Sequence, residues 1–324
     1  MNPPIAAARR TNMKRWLITG SSSGLGRALA EAALQAGHEV VATARNPAAL
    51  EPLARSERCQ VAALDVTDPA SVRAALAQAG AVDVLVNNAG CGLVGALEEC
   101  AESEIRSVFE TNFFGPLALI RALLPALRAR RRGHLINVSA AAAIANYPGF
   151  GAYGAAKAAL EAASESLRQE LRPLGIHVTI VEPGPFRTDF VRRNVAPATA
   201  RIDDYDGTAG NFARLIRATD GRQPGDPRAR RRQSSLSRAW SSRRCASCWA
   251  ATPMPRPASA PRSANRSAPP GRRWGCRPIS LPPPGRPPSR GCAGGETSPA
   301  AAPRSPDRSI APALPRSLGP VIRP

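Results

Sequence analysis

The chain has 324 residues, enough to bury one large or two small hydrophobic cores, and it carries a formal net charge of +20. That charge is concentrated: residues 229–324 hold 18 arginines against two acids, Glu296 and Asp307, whereas residues 1–228 hold 26 basic and 22 acidic residues. The basic balance therefore belongs to the tail, and no stretch approaches the roughly 20 apolar residues of a membrane span. Lys14 and Lys157 are the only lysines. Against so many arginines, alanines and prolines, which suggest a GC-rich gene, the presence of Lys157 is informative.

Residues 1–12 lack the apolar h-region of a signal peptide and read as a loose arm or an untranslated leader, because Met13 directly precedes a strand-like run. Arg15–Thr19 is predicted as a short buried strand, followed by the glycine turn Gly20-Ser-Ser-Ser-Gly24-Leu-Gly26 and an Ala/Leu-rich helix to about Ala36. A second strand is expected at Glu39–Thr43, then a helix opened by Asn46-Pro47. The pattern repeats with a strand at Gln60–Leu64, a helix from Asp68-Pro69 and a strand at Val82–Val86. Long helices are predicted over about 102–129, with a strand at His134–Val138, a helix from Tyr153 to Leu171 and a strand at Ile176–Val181. Strands alternating with helices imply an α/β fold built on a doubly wound parallel sheet.

The glycine turn leaves the first strand and opens the first helix, which is the setting a phosphate-binding loop requires. Gly20 and Gly24 permit close backbone approach, and free N–H groups with the helix dipole can receive a pyrophosphate. Tyr153 and Lys157 are four residues apart and so share a helix face, with Ser139 fourteen residues earlier. A phenol titrates near pH ~10 and handles protons poorly at neutrality unless a cation stabilises its phenolate. The pair reads as acid–base chemistry on an oxygen atom.

On these motifs, together with Asp65, Asn87-Asn88-Ala89-Gly90, Asn112 and Pro183-Gly184, the chain resembles the short-chain dehydrogenase/reductase family over residues 13–228. The resemblance implies an NAD(P)-binding Rossmann fold and hydride transfer between a nicotinamide and a carbonyl or secondary alcohol. It implies Tyr153 as general acid and base, and Lys157 as the cation that lowers its pKa and binds the nicotinamide ribose. Ser139 would polarise the substrate oxygen, and Asn112 would hold a water for proton return. Asp65 would meet the adenine amine, Asn88, Ala89 and Gly90 would line the adenosine side, and Thr188 would cap the carboxamide. Ser22, Ser23, Leu25, Gly26, Val66, Pro183 and Gly184 complete the implied cofactor contacts. A non-catalytic nucleotide-binding protein on the same fold is the alternative.

Cofactor preference is read at the end of the second strand, where Ala44-Arg45 replaces the acid that holds an NAD ribose diol. The guanidinium favours NADP, although Ser23 stands where many NADP-dependent members of the family carry Arg. Small or apolar stretches (Cys91–Ala96, Ala140–Ala143, Tyr147–Phe150, Phe186–Val191) are the expected pocket walls and suit a small or hydrophobic substrate. Cys59, Cys91 and Cys100 have no framework spacing, which fits a reducing cytoplasm, and Cys245-x-x-Cys248 lacks the second pair a zinc site needs, so no metal is expected.

From about Arg228 hydrophobic periodicity ends, and residues 229–324 hold 19 of the 33 prolines. Such a segment is expected to be a disordered appendage. Binding of nucleic acid by it is disfavoured by the absence of lysine and the few aromatics, Trp240, Trp249 and Trp274. A frameshift explains it best. With GC-rich codons, Cys245–Pro255 read one nucleotide earlier gives Leu-Arg-Leu-Val-Leu-Gly-Gly-Asp-Ala-Tyr-Ala, an apolar strand and a turn. The family's last helix and strand would then be missing and the homo-oligomer interface commonly built there incomplete, leaving an inactive product as a further alternative.

Overall fold

The computed structural model describes residues 13–227. The expectations for residues 1–12, for the tail and for a missing last helix and strand lie outside the described residues. Strands β1 (Arg15–Ile18), β2 (Glu39–Ala44), β3 (Cys59–Ala63) and β4 (Val84–Asn87) alternate with helices α1 (Gly24–Gln35), α2 (Glu51–Ala54) and α3 (Pro69–Ala79). After a short strand β5 (Gly92–Val94) come α4 (Glu102–Phe109), α5 (Gly115–Arg130), β6 (Gly133–Val138), α6 (Ala141–Ile144), α7 (Gly151–Leu171) and β7 (Ile176–Val181). Six strands form one parallel sheet in the order β3-β2-β1-β4-β6-β7. The expected doubly wound sheet is present, and its winding reverses between β1 and β4, where ligands of such sheets bind.

The period of two along each strand divides the core. Leu17, Val41, Leu85 and Leu135 face one layer with Leu119, Ile120, Leu123 and Leu127 of α5. Trp16, Ile18, Val40, Val84, Val86 and Ile136 face the other, with Leu29, Ala30 and Ala33 of α1. Each fully buried Leu or Ile contributes about 1.5–3 kcal/mol of transfer free energy, so the central strands are strongly held and their C-terminal ends are fixed in space. The loops that leave those ends carry the motifs.

One predicted helix differs in the structure. The Asn46-Pro47 start produces a 3-10 turn, Pro47–Leu50, and then the single turn of α2. The Asn46 side chain caps it by accepting from Ala48 N at 3.1 Å, but Pro52 and the early turn at Arg55–Ser56 leave no room for a longer helix. The helices expected over 102–129 are present as α4 and α5, joined by a π turn at Glu110–Phe114 that turns fully buried Asn112 inward.

Residues 186–218 form a roof that sequence reading left undivided. It contains α8 (Phe190–Asn194), β8 (Val195–Pro197) and α9 (Asn211–Ala218), and β8 pairs in parallel with β5. Carboxylates of the stretch before and within α4 fasten it: Glu99 accepts from Ile202 N at 2.9 Å, Glu104 from the Thr199 hydroxyl at 2.6 Å, and Glu98 from the Tyr205 hydroxyl at 2.6 Å.

Candidate active site

The glycine turn is shaped from its own backbone. Gly20 and Gly24 have φ of +68° and +58°, a region that side chains rarely adopt. The Ser21 hydroxyl donates to the Ile18 carbonyl at 2.8 Å, and the Ser21 N–H donates to Thr43 at 2.8 Å, tying the turn to β1 and β2. Ser23 begins α1 with extended backbone and makes no side-chain cap, so the first N–H groups of that helix are left for a ligand. Ser22 and Leu25 stand half-buried in this turn.

Opposite it, the Asn88 amide donates to the carbonyls of Thr19 at 2.9 Å and Gly20 at 3.2 Å, and the Thr19 hydroxyl accepts from Asn88 N and Ala89 N, both at 2.9 Å. A side chain at Gly26 would overlap the Gly20 carbonyl oxygen and the Asn88 amide, and one at Gly90 would stand 2.8 Å from Asn112 Oδ1. Only glycine fits at both.

Tyr153 and Lys157 lie on the buried face of α7, as their spacing predicts. Lys157 Nζ donates to the Val138 carbonyl at 2.8 Å. The Asn112 amide donates to the carbonyls of Cys91 at 2.8 Å and Val108 at 2.9 Å, and its Oδ1 accepts from Cys91 N at 3.3 Å. Asn112 thus pins the chain just after Gly90 beside Lys157. Burial lowers Lys157 to about 8, opposed by the charges of Cys91 and Glu161. Burial, with a smaller contribution from Cys91, raises the Tyr153 phenol well above its ordinary value. At neutral pH the resting phenol is protonated.

The Ser139 hydroxyl is turned to α7. In β6 the Asn137 amide donates to the Ser164 hydroxyl at 2.8 Å, and just past the strand the Ser139 hydroxyl donates to the Glu161 carboxylate, both partners lying on α7. Alternation along the strand turns the next residue the other way, so the Ala140 methyl packs with Tyr153 and Ala142. The expected polarising hydroxyl stands one residue out of register with the phenol. The Ser139 hydroxyl is engaged by the Glu161 carboxylate. Glu161 was missed by sequence reading, although its place four residues after Lys157 puts it on the same helix face.

The remaining predicted residues converge on the same sheet edge. Asp65 follows β3, and its carboxyl is held below its ordinary value first by the Thr67 N–H, then by the Thr67 hydroxyl, with the Arg45 charge adding. Arg45 follows β2 and thus faces the same end as Asp65. Val66 is buried beneath Gly115. The Pro183 carbonyl accepts from Ala141 N at 3.1 Å, with half-buried Gly184 beside it. The Thr188 side chain lies over Gly24, so the roof reaches the glycine turn. The backbone cradle, the helix N-terminus, the Lys157 ammonium and the Asp65 carboxylate suit a nicotinamide dinucleotide. Among the described residues no cluster could hold a metal ion.

Above Tyr153 stand aromatic rings. Phe150 and Phe190 approach it with centroids 5.0 and 6.0 Å away. Phe212 of α9 stacks on Tyr147 at 5.2 Å and meets Phe150 edge-on at 4.8 Å. Phe212, Tyr147 and Phe150 pack with Val94 and Ile216 in one apolar cluster.

Residues 14–198 match the family described as short chain dehydrogenase. The chain is 45% identical over 192 residues to the oxidoreductase claN of Passalora fulva, covering 57% of this chain and 88% of that protein. It is 39% identical over 206 residues to a 3-ketodihydrosphingosine reductase of Bacteroides thetaiotaomicron, covering 62% and 74%. A solved short-chain dehydrogenase from Streptomyces avermitilis is 43% identical with a TM-score of 0.66, covering 72% of this chain and 86% of its own.

Proposed function

Because this chain belongs to the short-chain dehydrogenase family and is an oxidoreductase by that membership, we propose that it reduces a bulky apolar ketone or aldehyde with NADPH. The observation that carries this is the buried Tyr153–Lys157 pair, set at the strand ends beside the glycine cradle and packed against aromatic rings. Bound cofactor supplies the hydride. Tyr153 donates its proton to the substrate oxygen, a role that suits a phenol kept neutral by burial. Lys157 stabilises the phenolate left behind and reaches the ribose hydroxyls, while Asn112 holds the proton-return route open beside the Cys91 carbonyl. Asp65 takes the adenine amine, and Asn88, Ala89 and Gly90 line the adenosine.

A 3-ketodihydrosphingosine reductase among the relatives agrees with a ketone as substrate. Arg45 at the end of β2 supports NADP over NAD. The test is oxidation of NADPH and of NADH over a carbonyl panel, by the chain as written and by a version with the tail frame restored. KM for NADPH is expected to be at least about tenfold lower, as one charge-assisted phosphate contact provides. A preference for NADH would reverse the cofactor assignment. Stops in the neighbouring frame of the nucleotide sequence would remove the frameshift reading of residues 229–324.

With Ser139 engaged by Glu161, Tyr153 is the hydroxyl that would meet the substrate oxygen. Ala140→Ser restores a second donor on the face that meets Tyr153 and is expected to raise kcat about 10- to 100-fold, somewhat below the full worth of an oxyanion donor. An unchanged or lower kcat in a folded variant would count against this assignment of faces.

A further inference from the structure

Glu99 is a buried carboxylate whose two oxygens are spent on two backbone N–H groups, Ala96 at 2.7 Å in the loop after β5 and Ile202 at 2.9 Å in the roof. Five residues on, Glu104 repeats the arrangement. One of its oxygens accepts from Ala101 N at 2.9 Å, and the other from Thr199 N at 3.1 Å and the Thr199 hydroxyl at 2.6 Å. Glu98 adds the Tyr205 hydroxyl at 2.6 Å. Burying a carboxylate is costly unless its oxygens find donors, and only a carboxylate accepts at both ends. A glutamine at position 99 would satisfy one N–H and turn its own amino group toward the other. The converging donors therefore call for glutamate.

We propose that Glu99 and Glu104 are positioning residues for the reaction described above: they clasp residues 199–202 to the chain between β5 and α4, and so fix how closely the roof brings Phe190 and Phe212 to the site. Neither carboxylate touches the phenol; both act through the rings. The clasped segment lies between them in the chain, with Phe190 on α8 before it and Phe212 on α9 after it. Phe190 meets Tyr153 at 6.0 Å, and Phe212 meets Phe150 at 4.8 Å. The stretch just before the clasp is held by β8 pairing with β5, by Ala198 N donating to the Val94 carbonyl at 2.9 Å and by the Asn194 amide donating to the Gly90 carbonyl at 3.2 Å. A methyl on Gly95 would stand 2.5 Å from the Ala198 methyl, so the roof rests directly on the loop that carries Glu99. The purpose of the clasp rests on the carbonyl-reductase reading; its bonds do not.

Amide hydrogen exchange of the full chain, followed by mass spectrometry, tests the clasp without turnover. Glu99→Gln is expected to speed exchange over residues 199–205 about tenfold, as loss of one charge-assisted hydrogen bond does, and to leave β6 unchanged. KM for a bulky apolar ketone should rise by about the same factor, while kcat at saturation stays within about twofold, because binding must then re-form the roof and chemistry need not. Unchanged roof exchange in a folded variant overturns the proposal. Equal acceleration in β6 also overturns it, since that marks a general loss of stability, and so does a loosened roof with an unchanged KM. If Glu99→Gln does not fold, Thr199→Val combined with Tyr205→Phe decides. That variant removes two roof hydroxyls and leaves the three carboxylates in place, and it should give the same rise in roof exchange and in KM. Absence of either rise overturns the proposal. A wild-type chain that turns over no carbonyl would sink the reductase reading, and exchange alone would then decide whether the carboxylates hold the roof.

Discussion

Tyr153→Phe is expected to lower kcat by about 10³-fold or more while leaving the fold intact, as loss of a positioned proton donor does. The ring of Tyr153 packs with Ala140, Ala142, Phe150 and Phe190, contacts that phenylalanine preserves. Removal of the hydroxyl alone should change stability by less than about 1 kcal/mol. The two effects are therefore separable: urea unfolding should give the same midpoint while single-turnover reduction under saturating NADPH collapses. Retention of more than a tenth of the wild-type rate would mean that another group delivers the proton, and the mechanism would have to be abandoned.

The second large effect belongs to a residue with no side chain. Gly26→Ala places a methyl against the Gly20 carbonyl oxygen and the Asn88 amide, in the first turn of α1. It would break the Asn88 bonds to Thr19 and Gly20 that hold the glycine turn against the β4 loop. A loss of about 2–3 kcal/mol is expected from overpacking, together with loss of NADPH binding as followed by fluorescence. Gly37→Ala is the control. Its φ of +87° is strained for alanine, but nothing lies within 4 Å, so a cost of about 1 kcal/mol and intact cofactor binding are expected. Equal effects at both positions would show that the close approach at Gly26 costs no more than an isolated strained glycine.

Most of the sheet was legible because its strands are continuous apolar runs between strong punctuation. Ile176–Val181 agrees to the residue, and the others lie within two residues of their predicted starts and ends. The shared face of Tyr153 and Lys157 was legible because helix geometry is local. What failed was local in a different way. Ser139 and Ala140 differ by one position at the end of a strand, where a single step reverses the direction of the side chain. Spacing to a distant tyrosine cannot resolve that parity, whereas the neighbouring bonds of Asn137 and Ser139 to α7 do. The π turn at Asn112 leaves no periodic mark, since it adds one residue within an otherwise continuous helix. The roof was hidden for another reason: its elements are three to eight residues long and depend on carboxylates about a hundred positions away, such as Glu99 on Ile202.

The ring contacts that join the roof to the body have a consequence for what can enter. Phe212 is carried by the roof, whereas Tyr147 and Phe150 stand on the segment leading into α7, so one stacked and one edge-on ring contact join roof and body. A guest that wedges between them gives up about 0.5–1.5 kcal/mol for each ring pair it parts. A large flat or long apolar molecule replaces those contacts with its own, and a small polar carbonyl has nothing to offer in exchange. Phe212→Ala should reduce the ratio of kcat/KM for an aromatic ketone to that for a short aliphatic one, and an unchanged ratio would place selection elsewhere.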